Sequence, residues 1–305
     1  MALRTGIIGT GAWARETHAP VLTAHPDVEF VGAWGRNRAA ADAVVAPFGA
    51  RAFGALDDLL DAVDAVVLAI PPTAQPDLAV RAARAGCHLL LEKPLALDVA
   101  EARRIRDEAA AHDVAGLVFL TSRHRPEQRA WIAAARERGG WHSAHASWLA
   151  GLYAPDAPRD PADWRQAKGA LWDVGPHALS VTLGVLGPVR AVAATRGLGD
   201  TVHLALRHAD GPSSTVTLSL TAPVQQSLFT AVGAAGVLPM PTPLSTVRVA
   251  AATAVTDLAA MAASGVRTHD ADLTFGTEIV EVLAAAEAAL GPDPVASTAT
   301  RPQPR

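Results

Sequence analysis

The chain has 305 residues and a mass of 31.5 kDa, which is about two domains' worth of sequence at roughly 150 residues each. Apolar residues make up 50% and charged residues 18%, a balance that excludes disorder of the low-hydrophobicity kind over most of the length. With 26 basic against 30 acidic residues and a formal charge of -4, no broad electropositive surface is available for a nucleic-acid backbone.

Single residue types narrow the classes further. The lone Cys87 excludes an internal disulfide and a thiolate metal cluster, and no metal site is expected. No stretch approaches the roughly 18 apolar residues of a membrane span, so a cytoplasmic protein acting on a small molecule is expected. Lysine occurs only at Lys93 and Lys168, leaving arginine to supply the other 24 basic positions.

The first 120 residues alternate short apolar runs with longer helical patterns. Gly6-Ile7-Ile8-Gly9, Val28–Trp34, Ala65–Ile70, His88–Leu91 and Gly116–Leu120 are apolar on both faces, as buried parallel strands are. Helices are predicted between them over Ala14–His25, Arg38–Phe48, Ala74–Ala85 and Val99–His112. The sum is a doubly wound parallel sheet of the Rossmann type over residues 1–121. Beyond it, a helix over Pro126–Arg138 precedes an irregular Trp- and Pro-rich stretch, and a second helix begins near Pro176. Strict alternation follows, with Val202, Leu204 and Leu206 against His203, Ala205 and Arg207, and with Val216, Leu218 and Leu220 against Thr215, Thr217 and Ser219. Period-two strands with one polar face predict an open antiparallel sheet in an α+β domain over residues 122–290. Gly233 to Gly236 reads as a turn between two more strands. A helix over Leu273–Leu290, with Phe275, Ile279, Val282 and Leu283 as its core face, closes the domain, and residues 291–305 form a tail.

Gly9-Thr10-Gly11-Ala12-Trp13-Ala14 falls between the first strand and the first helix, where a dinucleotide fingerprint has to sit. Gly9 permits the tight turn, Gly11 lets the backbone approach a pyrophosphate, and Ala14 lets the helix pack on the strand. After the second strand comes Trp34-Gly35-Arg36-Asn37, with no carboxylate before Asp42. A carboxylate there would grip the ribose hydroxyls of NAD, whereas Arg36 suits the 2′-phosphate of NADP. The competing reading is a solvated arginine opening a helix. NADP is therefore the expected cofactor, with NAD the alternative.

Four further strings complete the pattern: Ile70-Pro71-Pro72 at a strand end, Glu92-Lys93-Pro94-Leu95 after the fifth strand, Trp164-Arg165, and Gly169-Ala170-Leu171-Trp172-Asp173-Val174-Gly175-Pro176-His177. With these the chain resembles the Gfo/Idh/MocA family, the glucose-fructose oxidoreductase and inositol dehydrogenase group, over residues 4 to 290. The resemblance implies a nicotinamide-dependent enzyme acting on a sugar, polyol or derivative. It implies that Lys93 and His177 flank the carbon exchanging hydride with Asp173 beside them, that Glu92, Lys93 and Arg165 join the cofactor contacts with Ile70, Pro71 and Pro72, and that the Lys93–Pro94 bond is cis. Two positions depart from the family: Ala170, where a further glycine is common, and Ser180, where an acidic residue often follows the histidine.

The chemistry is intelligible on its own terms. Hydride transfer from an alcohol needs a base for the hydroxyl proton, and histidine suits both directions. A lysine ammonium stabilises alkoxide charge, and an aspartate orients or charges the imidazole. Family members differ in which of lysine and histidine carries the proton, and both assignments stand. Read singly, His177 would be a satisfied residue at a helix start and Asp173 a cap. Arg123, Tyr153, Trp164 and Lys168 are candidate substrate contacts, with Trp148 beside them and packing as the competing reading. Arg123-His124-Arg125 reads as a solvated domain junction or a single anion contact. His142 and His145, on opposite faces of an expected strand, make no metal site. The leading expectation is an oxidoreductase working as a homodimer or homotetramer through the exposed sheet face. Its rival is a non-catalytic NAD(P)-binding sensor on the same fold.

Overall fold

The computed structural model describes residues 2–153, 164–234 and 236–291. The expected tail beyond Gly291 lies outside them. In the first half, β1 (Leu3–Ile8) leads into a π-turn (Ala14–His18) and α1 (Ala19–Ala24), then β2 (Val28–Trp34), α2 (Arg38–Val45), β3 (Arg51–Ala52), α3 (Leu56–Leu60) and β4 (Ala65–Leu68). There follow α4 (Gln75–Arg84), β5 (His88–Leu91), α5 (Val99–Ala111) and β6 (Gly116–Val118). All pairings are parallel, in the order β3-β2-β1-β4-β5-β6, so the order reverses between β1 and β4. Ligands of such sheets bind beyond the carboxyl ends of the strands at that switch point.

The π-turn has a covalent cause. Pro20 has no N–H, so the carbonyl of Glu16 gets no partner four residues on and the helix widens there. Arg248 Nε donates to that carbonyl instead, at 2.9 Å.

The second half contains α6 (Thr121–His124), α7 (Pro126–Arg138), β7 (Trp141–Leu149), α8 (Trp164–Asp173), α9 (Gly175–Leu186) and β8 (Val189–Arg196). After these come β9 (Val202–His208), β10 (Ser213–Ser219), β11 (Gln226–Gly233), β12 (Gly236–Pro239), α10 (Val247–Ser264) and α11 (Leu273–Leu290). Its sheet runs β12-β11-β7-β10-β9-β8. One side is buried, and β9 alternates buried and exposed residue by residue, as period two requires. The expected turn from Gly233 to Gly236 does join an antiparallel pair.

Three expectations are corrected. The sheet is mixed, because β7 enters its middle and pairs parallel with β10; the helices between them supply the long connection that parallel pairing needs. The irregular stretch contains α8, whose pattern is hidden by a break at Gly169. A bulge where β7 passes β11 leaves His142 and His145 both exposed rather than on opposite faces.

Helix α10 corrects a fourth. Its 18 residues are long and apolar enough, by length and composition, to cross a membrane. Here Ala250, Ala251, Ala254, Val255, Leu258 and Met261 are buried in one cluster with Ile7, Leu22 and Val67 of the parallel-sheet half. Alanine, rather than leucine, carries most of that face, which is why no apolar stripe is conspicuous in the sequence.

Asp257 fixes α10 in place. Arg129 of α7 donates to both its oxygens, at 3.0 and 2.8 Å, and His269 Nε2 approaches at 3.3 Å. His124, fully buried and stacked on His269, holds Nδ1 at 3.6 Å, within ion-pair range but beyond a hydrogen bond. Burial works to raise the Asp257 pKa, but these cationic and N–H neighbours outweigh it and hold it far below the usual carboxylate range. Asp257→Ala is expected to cost about 1–3 kcal/mol, since Arg129, His269 and the buried His124 lose their common acceptor. Urea unfolding checks this, and a change within about 0.5 kcal/mol would show that the cluster does not hold α10 in place.

Candidate active site

Gly9 closes β1 with φ +130°, and a Cβ there would lie 2.3 Å from the carbonyl oxygen of Ala69. Only glycine allows the loop to pass so close to the end of β4. Gly11, by contrast, has no atom near the place of a Cβ, so its backbone borders open space. Thr10 packs against Gly35, which brings the β1 and β2 loops together. Ala14 is fully buried, and Trp13 is exposed with its edge on Phe119. Arg36 is exposed with no hydrogen bond or ion pair to a described residue. Asn37 serves the fold, its side chain capping α2 by accepting from Ala40 N at 3.2 Å. Pro71 is exposed and Pro72 buried in the turn after Ile70 that leads to α4. An open glycine backbone and a free guanidinium on adjacent loops fit a dinucleotide phosphate cradle. Gly9, Thr10, Gly11 and Arg36 would hold it.

Across the sheet edge, β5 ends in Glu92-Lys93-Pro94, with the Lys93–Pro94 bond cis. This loop is clamped by Gln75, whose side chain is wholly buried at the start of α4. Its amide donates to the carbonyls of Glu92, Pro94 and Leu95 at 2.8, 3.2 and 3.0 Å, and its oxygen accepts from Glu92 N at 3.0 Å. Glu92 turns its carboxylate to His18 Nε2, 3.1 Å away. Sequence reading missed Gln75 and His18. The available signal for Gln75 is that it continues the buried 75–79–83 stripe of α4 with a polar group.

Lys93 reaches over to the second half. Its ammonium donates to Asp173 Oδ1 at 2.7 Å and to the Asp173 carbonyl at 2.8 Å, with both side chains largely shielded from solvent. Arg165 Nε donates to the same Oδ1 at 3.1 Å, and its guanidinium lies over the Trp164 ring. An unbroken helix would separate residues eight apart by about 12 Å along its axis. Gly169, at φ +63° and ψ -165°, breaks α8 between them and lets them meet. Burial works to raise the Asp173 pKa, but Lys93 and Arg165 outweigh it and keep the carboxylate ionised.

His177 sits in the first turn of α9, four residues after Asp173. Desolvation and then the charge of Lys93 push its pKa down to about 3, against a smaller opposite pull from Asp173. Ser180, buried one turn later, spends its hydroxyl on the His177 carbonyl at 2.7 Å. Lys93, Asp173, His177, Arg165 and Trp164 therefore come together.

Other expected contacts do not. Arg123 is buried, donates to the Asp270 carbonyl at 2.8 Å and lies over the Phe275 ring, so the 123–125 junction is not solvated there. Lys168 pairs with Glu287 at 3.0 Å above Trp172, fastening α8 to α11. Tyr153 and Trp148 are core residues.

A folded-state imidazole with a depressed pKa is neutral where the unfolded chain is protonated. Its contribution to stability is therefore complete above about pH 6.5 and falls as pH drops toward about 3. Side-chain NMR of the free protein should find His177 neutral throughout about pH 8 to 5; an ordinary midpoint near 6.5 would contradict the burial argument.

A model of the oxidoreductase family with NAD-binding Rossmann fold matches residues 3–120, and a Gfo/Idh/MocA C-terminal domain model matches residues 132–238. The chain is 35% identical over 106 residues to glucose-6-phosphate 3-dehydrogenase of Bacillus subtilis, covering 35% of this chain and 30% of that one. It is 29% identical over 190 residues to dTDP-3,4-didehydro-2,6-dideoxy-alpha-D-glucose 3-reductase of Streptomyces antibioticus, covering 61% and 57%. These matches span between 30% and 57% of the curated relatives' own length. UDP-N-acetylglucosamine 3-dehydrogenase of Acidithiobacillus ferrooxidans shares the fold with a TM-score of 0.81 at 23% identity, over 95% of this chain and 98% of that one. The chain belongs to the Gfo/Idh/MocA family of oxidoreductases.

Proposed function

We propose that this protein exchanges a hydride between NADP and a secondary alcohol or ketone on a sugar-like ring. The observation that carries the reading is the convergence of Lys93, Asp173 and His177 at the carboxyl edge of the parallel sheet, beside the glycine loop. The names of three relatives, each a dehydrogenase or reductase acting at position 3 of a hexose derivative, agree with it.

The nicotinamide, when bound, supplies the carbon that gives or takes the hydride. This chain handles the proton and the oxygen. In the oxidation direction neutral His177 accepts the hydroxyl proton, while the Lys93 ammonium, held by Asp173, donates a hydrogen bond to the oxygen as negative charge grows on it. Gln75 keeps the Lys93 loop in position for this.

Preference for NADP rests on Arg36 and on what surrounds it. Asp42, the first carboxylate after β2, is engaged by Arg38 Nε at 3.2 Å, leaving Arg36 available to a 2′-phosphate. The same reading includes self-association through the outer face of the second sheet, where Leu228, Val232 and Val237 are exposed among polar neighbours. Light scattering should return a mass above the 31.5 kDa of one chain, and the single-chain mass at micromolar concentration would contradict that part.

One set of measurements tests the chemistry. With a keto-sugar substrate found by screening, His177→Ala and Lys93→Ala are expected to slow turnover about a hundred- to ten-thousand-fold, with NADPH affinity kept in the histidine variant. NADPH should bind more tightly than NADH by about 1.5–3 kcal/mol, and Arg36→Ala should narrow that gap. Undiminished turnover in both catalytic variants would favour a non-catalytic sensor, and equal cofactor affinities would remove the NADP assignment.

A further inference from the structure

Three arginines lie close together in sequence where α6 meets α7, and two of them have ion-pair or carbonyl partners, although the Nε of Arg123 has none. Arg123 has Asp270 and Phe275; Arg129 has Asp257. Arg125 has neither an ion pair nor a side-chain hydrogen bond to any described residue. It is partly buried, and its Nε is shielded from solvent without a partner. Glu127, the carboxylate nearest in sequence, has Oε1 committed elsewhere. It accepts from the backbone of Leu244 and Ser245 at 2.9 Å each and from the Ser245 hydroxyl at 2.8 Å.

Arg125 stands at the junction of two helices that both pack on α9, the helix carrying His177. Arg125 is among the charges that depress His177, while burial pushes the pKa of Arg125 down against a smaller opposite pull from Glu127. Among the described residues, Lys93 and Arg165 both face Asp173, and Glu92 turns to His18 instead. A shielded guanidinium N–H with no acceptor is costly, and such a cost persists where a ligand supplies the missing acceptor.

We propose that Arg125 is a specificity-determining residue that binds an anionic group, a carboxylate or a phosphate, carried by the substrate near the carbon that reacts beside His177. The proposal rests on the oxidoreductase reading for what that substrate is. A guanidinium recognises either anion through two parallel N–H···O bonds, which fixes orientation as well as charge.

Calorimetry on the full chain tests it with three probes: glucuronate, glucose 6-phosphate and neutral glucose. At least one of the anionic sugars should bind about tenfold or more tightly than glucose, and the better of the two identifies carboxylate or phosphate as the group. In Arg125→Gln that preference should vanish, with affinities for glucose and NADPH unchanged. The melting temperature should be unchanged or higher, because no ion pair is lost. The proposal is overturned if neither anion outbinds glucose, if Arg125→Gln keeps the preference, or if that variant weakens NADPH instead. A clear fall in melting temperature would likewise make Arg125 a structural residue. An anion preference lost in Arg125→Gln, with no sugar turned over by the unmodified protein, would sustain the binding site and sink the oxidoreductase reading.

Discussion

The Lys93–Asp173 ion pair joins the two halves of the chain at the point where their chemistry meets. At 2.7 Å, with a second bond from the same ammonium to the Asp173 carbonyl, it ties the end of β5 to the segment between α8 and α9. Its net contribution to stability is small in general, because desolvating both ions offsets most of their attraction. Its geometric effect is large: once the two charges are out of water, neither can leave without stranding the other. Everything near it serves to keep that contact. Gln75 clamps the lysine's loop, the break at Gly169 brings Arg165 onto the same carboxylate oxygen, and α9 then starts with His177 one turn away.

Burial gives the three groups different characters. Asp173 stays ionised because two cations face it, while His177 stays neutral because the environment that desolvates it also contains those cations. An acceptor and a charged donor thus stand side by side near neutral pH, the pairing that moving a proton off an alcohol requires. Arg125 adds a further cation to the surroundings of His177, and its Nε has no acceptor among the described residues.

Much of this was legible in the sequence, for physical reasons that also mark the limit. Strands β1, β2, β4, β5 and β6 are apolar on both faces, so their runs stand out; β3, at two residues on the sheet edge, is too short to show a period. The candidate site was legible in the strings around Lys93 and His177, because the residues that meet there flank recognisable strand and helix ends. Partners far apart in sequence were not legible. Arg123 meets Asp270 and Lys168 meets Glu287 across more than a hundred residues, so neither pairing leaves a local trace, and both side chains read as free for substrate. Gln75 escaped for the opposite reason, since a buried amide looks like any polar residue at a helix start, and Arg125 was read only within the 123–125 cluster, as a solvated junction or a single anion contact.

The reading of the site turns on Lys93, Asp173 and His177 acting as one unit rather than as separate contributors. A double-mutant cycle on single-turnover hydride transfer, with Lys93→Ala, His177→Ala and the double variant, measures this most directly. The account predicts strong non-additivity, with the double variant no more than about threefold slower than the slower single variant. Losses that multiply, so that the double variant falls by the product of the two single effects, would show that the groups work independently and contradict it.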